Sequence, residues 1–476
     1  MKKGLYRVIL LSCLPVFLLF LPAKAADSSV LRKGPYLMLA ARNCTDDICD
    51  ADQTRMTVLW QTKVARSDCS VAWVTRNSCD ASTVYTKSSG PVPEEQPWPV
   101  RSKQPGDWEH RFSYTIDNLA PGARTCYRVT CGAGDFYGSF QTPPVDGATT
   151  LSFYAYGDTR GGTKDVENSR KEEVHERLVY DMKSSPAARQ TFCLHTGDFV
   201  MDGQDEKAWD RNYDNEYFVR NPRNMAFLTQ LPVAGVLGNH EGYLGYNRAT
   251  KKTIIDYVDF GQVFKKYFPY PFYRSGKDRF YYAFDYGPAR FIVVDVNDRV
   301  GDSGNTGRNY TEAGLVAGSP QYDWLKRVLA MPTTKWKIVS LHNPLYSGSG
   351  MRERFQNDAG LAVRNGLHVL FRDTGVKLVL QGHNHYYSRS EVEGVTYLVL
   401  GGGGAPIRGL QFLPGSSGHP ELKAARQDNC GPEGKSACYH YARIDITSTS
   451  AATVTVRDAW GDRSPGYLIE TVPLTK

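Results

Sequence analysis

Seven side chains able to hold a divalent ion or carry a proton follow directly on apolar runs of this 476-residue sequence: Asp158, Asp198, Asn239, His240, His342, His383 and His385. They lie in the stretches GDTR, HTGDFV, GNHE, LH and GHNH. One aspartate or histidine after a strand carries little weight. Five strand ends that all bear carboxylate, amide or imidazole donors are hard to explain as packing. Two divalent ions held about 3.5–4 Å apart need one shared ligand and separate donors for each, and this set supplies both.

The runs that must position these residues, at 153–156, 192–194, 233–237, 336–340 and 376–380, read as buried strands. Loops at the carboxyl ends of such strands are where open α/β sheets place chemistry. An α/β domain is therefore expected over 150–476, with 241–330, rich in Tyr, Phe and Gly, as a long insertion of loops shaping a substrate face. From His440 onward alternation returns and predicts strands that rejoin this domain's sheet. The four glycines at 401–404 follow another apolar run and predict a backbone turn near the centre, since no Lys-Ser/Thr follows as in a nucleotide loop. Residues 30–143 read differently. Short β-rich runs at 56–60, 70–74, 110–116 and 125–130, with a turn signal at 118–122, predict an all-β sandwich of the immunoglobulin or fibronectin kind.

With 41% hydrophobic and 22% charged residues the composition is that of an ordinary globular protein. Residues 1–25 have a basic start, an apolar run and an Ala-Lys-Ala ending, which predicts a secretory signal and export to the periplasm or the cell exterior. The apolar run is too short for a comfortable membrane span. Lys2, Lys3, Arg7 and Lys24 fall within residues 1–25, so the formal charge of +7 shrinks in the mature chain and predicts neither nucleic-acid nor membrane-surface binding. Cysteine usage agrees with export. The sequence-near pairs Cys44/Cys49, Cys69/Cys79, Cys126/Cys131 and Cys430/Cys438 predict local disulfides, and Cys193 a buried, inert thiol.

The order GD, GD, GNHE, VSLH, GHNH resembles the calcineurin-like metallophosphoesterases, and the preceding β-module resembles the N-terminal domain of purple acid phosphatases. The resemblance implies a four-layer α/β/β/α catalytic domain with two divalent ions (Fe, Mn or Zn) that hydrolyses phosphate esters through a hydroxide lying between them. Carried over residue by residue, it implies Asp158 and His385 on the first ion and Asp198 bridging. Asn239, His342 and His383 would complete the second site, and His240 would protonate the leaving oxygen or stabilise its charge. Two positions depart from the family. Arg160 stands where a histidine ligand is usual, and Met201 where purple acid phosphatases have a tyrosine. A colourless enzyme with a weakly held first ion is implied, with Tyr243 or Tyr246 as possible replacement donors. Arg160, with a fork suited to phosphate, would bind substrate or pair with a nearby acid. The expected activity is that of an acid-phosphatase-like phosphomonoesterase; a phosphodiesterase and a catalytically weakened surface-binding protein are the alternatives.

Overall fold

The computed structural model describes residues 30–98, 109–161, 169–184, 190–209, 217–218, 220–247, 250, 252–255, 259–273, 279–297, 312–349, 355, 358–428, 437–459 and 466–476. The expected signal at 1–25 lies outside these residues. Among them are twenty-two strands and five α-helices, so sheets carry most of the structure.

The expected strands form. The β-rich runs of the N-terminal part lie in Cys49–Thr62, Ser70–Thr75, Arg111–Ile116 and Arg124–Cys131. Ser70–Thr75 and Arg124–Cys131 are the middle of a four-stranded sheet with Lys87–Pro91 and Gly134–Gln141. Cys49–Thr62 pairs with Leu31–Arg42 and with Arg111–Ile116, and at its other end runs parallel to Tyr282–Tyr286, with Cys49 opposite Phe284. One ladder therefore runs from the N-terminal strands into the larger sheet. That sheet continues through Ala289–Val293, Trp336–Leu341, Leu378–Gln381 and Val395–Leu400. A second sheet has Val233–Gly235, Gln190–His195 and Leu151–Tyr156 in parallel, and then the C-terminal His440–Ile446, Ala451–Asp458 and Leu468–Thr475.

Two expectations are corrected. The segment 241–330 is not only loops: Tyr282–Tyr286 and Ala289–Val293 form a buried hairpin inside the large sheet. Its strands are buried on both faces, so no clean period-2 pattern marked them among so many aromatics. The cysteines of the four-stranded sheet also pair otherwise. Cys69 bonds Cys131 and Cys79 bonds Cys126. Cys69 and Cys79 flank opposite ends of the strand Ser70–Thr75, whose six residues span about 20 Å. The antiparallel register Ser70↔Thr130 to Thr75↔Thr125 brings each against a cysteine of the neighbouring strand instead. Cys44–Cys49 forms as expected. Cys438 is disulfide-bonded too, and its expected partner Cys430 lies outside the described residues. Cys193 is a buried free thiol, its pKa pushed up by burial.

Candidate metal centre

The carboxyl ends of two sheets meet at the candidate residues. Leu151–Tyr156, Gln190–His195 and Val233–Gly235 are parallel neighbours that lead into Asp158, Asp198, and Asn239 with His240. Trp336–Leu341 and Leu378–Gln381, parallel in the other sheet, lead into His342 and into the turn bearing His383 and His385. Asp158, Asp198 and His383 have φ of 59°, 58° and 68°, a left-handed conformation that non-glycine residues seldom adopt and that clusters at functional sites. The turns hold one another: Asp158 N–H donates to the Gly197 carbonyl (2.9 Å) and Thr159 N–H to that of Asp198 (3.0 Å). Gly238 must lack a side chain, because a Cβ there would come within 2.3 Å of Asp198 Oδ1.

His342 Nδ1–H donates to the Thr196 carbonyl (2.8 Å), which turns Nε2 inward. Nε2 then lies 3.1 Å from Asn239 Oδ1 and 3.2 Å from Asp198 Oδ1, and His383 Nδ1 is 3.0 Å from the same Asn239 oxygen. The Asn239 amide is oriented by its Nδ2–H, which donates to the Tyr243 hydroxyl (2.8 Å). Lone-pair groups converging this closely require positive charge among them. Burial lowers the pKa of His342, but Asp198 beside it raises it to about 9, so a proton on this ring provides the charge here. Burial opposes the charge on Asp198, yet the charged His342 beside it, with help from Arg160, holds its carboxyl well below the usual range. A divalent ion would fill the same role, and two imidazoles, an amide oxygen and a carboxylate form a donor set suited to one. This set fits the second ion implied by the sequence.

Asp198 also belongs to a second group, with Asp158 and His385, whose donor atoms lie within 4.8 Å of one another. Here the pattern differs, because the buried Arg160 side chain bonds two of them: Nε–H donates to Asp198 Oδ2 (3.2 Å) and Nη2–H to His385 Nε2 (3.3 Å). Both Asp158 oxygens accept from His383 N–H, at 3.0 and 2.9 Å. Burial raises Asp158 well above the usual carboxylate range. The Tyr243 hydroxyl is occupied with Asn239, and the Tyr246 side chain lies outside the described residues.

His240 lies beside the cluster. Its Nδ1–H donates to the Met201 carbonyl (2.6 Å), and its Nε2 is 3.8 Å from Asp198 Oδ2. Burial, reinforced by Arg160, lowers its pKa to about 3, so the ring is neutral at ordinary pH. A cavity of about 330 Å³ opens here. Every candidate residue except Asp158 and His342 lines it, together with Arg408 and Gln411, two residues for which the sequence carried no signal.

Glu241 is the supporting residue that motif reasoning missed, although it is the last letter of GNHE. Its buried carboxylate accepts from Gly238 N–H (2.7 Å), Asp198 N–H (3.1 Å) and Phe199 N–H (2.8 Å), clamping the Asp198 and Asn239 turns together. Glu241→Gln would turn an amide N–H₂ against at least one of these donors. It is expected to cost about 1–3 kcal/mol, read as a lower midpoint in urea unfolding. His195 braces the same turn, accepting from Gly197 N–H (3.2 Å) and stacking on Phe199.

Residues 152–387, which carry all of these donors, match the family model of the calcineurin-like phosphoesterases, and this match places the chain in that family. It is similar to an acid phosphatase of Aspergillus ficuum, 29% identical over 144 residues, which covers 24% of this chain and 22% of that one. A probable inactive purple acid phosphatase 27 of Arabidopsis thaliana is 23% identical over 320 residues, 58% of this chain and 45% of its own. This chain thus spans less than half the length of either. Among solved structures, a purple acid phosphatase from yellow lupin (Lupinus luteus) seeds shares the fold, with a TM-score of 0.62 and 17% identity over 93% of this chain and 74% of that one.

Proposed function

We propose that this protein is an exported, metal-dependent phosphoesterase that prefers phosphomonoesters. The observation that carries the reading is the convergence of Asp198, Asn239, His342 and His383 at a cavity also lined by His240. A divalent ion bound by these four would polarise a phosphoryl oxygen and depress the pKa of a coordinated water. The chain's own contribution is orientation and proton movement. Tyr243 and Glu241 fix the amide and the turns that present the donors. His240, anchored through Nδ1, directs Nε2 at the cavity, and a phosphate dianion beside it would raise its pKa and let it pass a proton to the leaving oxygen. Arg160 lines the same cavity and offers its charge to the phosphate. Three disulfides among the described cysteines support an oxidising location. We read residues 30–143 as a sandwich domain whose four-stranded sheet faces the N-terminal strands of the large sheet, and 150–476 as a four-layer domain with two stacked sheets between helices.

A second reading, a protein that keeps the fold and binds phosphate compounds without hydrolysing them, is favoured by Arg160 lying on two donors of the first set. An assay separates the readings. Metal-stripped protein is given Mn, Fe, Zn, Co or Ca and tested on p-nitrophenyl phosphate and bis-p-nitrophenyl phosphate. Faster release from the monoester, abolished by chelator, is expected. Faster diester hydrolysis would make it a phosphodiesterase, and no hydrolysis with metal bound would establish the second reading.

A further inference from the structure

The two positions where the chain lacks a ligand expected in its family are in contact. Arg160 Nη1–H reaches Met201 Sδ at 3.3 Å and the Gly161 carbonyl at 3.0 Å, while Nε–H and Nη2–H are taken by Asp198 and His385. The state of His385 makes this decisive. Its Nδ1–H donates to the Pro406 carbonyl (2.8 Å), so the ring's one lone pair is on Nε2, the atom an ion would need. That lone pair accepts from the guanidinium. An ion bound there would sit about 2.0–2.2 Å from its donors. Guanidinium nitrogens already lie 3.2–3.3 Å from two of the same donors, so a second cation would have to displace the guanidinium from the one lone pair of His385 and from Asp198. The third donor, Asp158, has both oxygens engaged by His383 N–H. The thioether of Met201, a soft and weak donor, offers a hard ion no compensation.

We propose that the Arg160 guanidinium holds the place of the first metal, so that the chain binds one divalent ion, through Asp198, Asn239, His342 and His383. The proposal rests on the metal-dependent reading of that second set and revises the two-ion expectation. A guanidinium is charged at every working pH and carries directed N–H groups that match phosphate oxygens. It supplies fixed positive charge and orientation opposite the single ion. It does not activate water as an ion would, so that chemistry would have to be supplied by an ion held by Asp198, Asn239, His342 and His383.

Metal stoichiometry tests this without reference to activity. Metal-stripped protein is titrated with Mn(II) by calorimetry and followed by electron paramagnetic resonance. One ion per chain with an isolated-ion spectrum is expected for the wild type, even at saturating Mn(II). Arg160→His removes the guanidinium and restores an imidazole, and is expected to admit a second ion with a spin-coupled spectrum. Two ions in the wild type, or Arg160→His remaining at one while a thermal melt shows it folded, would overturn the assignment. No bound ion in the wild type would overturn it together with the metal-dependent reading. One bound ion without phosphatase activity would uphold this assignment and reject only the enzymatic function. Should Arg160→His not fold, the wild-type stoichiometry alone decides.

Discussion

Asn239→Ala is expected to strip the protein of its ion and, with it, nearly all phosphoesterase activity. Asn239 Oδ1 is the group on which His342 Nε2 and His383 Nδ1 both close, at 3.1 and 3.0 Å. Removing it takes away a donor and leaves two imidazoles without their common partner. Loss of a residue that only supports a ligand costs about 10–100-fold in metal affinity, and loss of the ligand itself should cost at least that much. His383→Ala should behave in the same way. Metal content by mass spectrometry after desalting, beside turnover on p-nitrophenyl phosphate, gives the answer. Either variant retaining its ion and near wild-type turnover would remove these residues from the centre.

His240→Ala should act on turnover alone. Its Nδ1 is held by the Met201 carbonyl and its Nε2 stays 3.8 Å from Asp198, so it stands beside the donors and not among them. Metal content should be unchanged while kcat falls about 10²–10⁴-fold, the range for a missing general acid. The loss should shrink as the leaving group becomes more acidic, because such a group departs without a proton. A kcat loss equal across leaving groups would assign His240 to positioning or charge stabilisation. Loss of the ion would make it a ligand.

Much of this was legible in the chain because it is written locally. An apolar run, a glycine and then a donor is a demand of a strand end that must turn sharply, and the left-handed Asp158, Asp198 and His383 meet that demand. Residue types alone therefore marked the candidate donors, the strands that carry them and cysteines that form disulfides. What depended on neighbours far apart in sequence was decided by the tertiary structure. Strand register, which no pair of nearby cysteines reveals, joined Cys69 to Cys131 and Cys79 to Cys126. Pairing across the sheets turned part of the 241–330 segment into core strands and made Glu241 the clamp between two turns. The sequence showed that Arg160 and Met201 replace expected ligands but left the arginine free to grip phosphate or pair with an acid. Only the convergence of two sheets brings Asp198, His385 and Met201 around one guanidinium, because a long, permanently charged side chain in a buried site must lie where anionic and lone-pair groups from several strands meet.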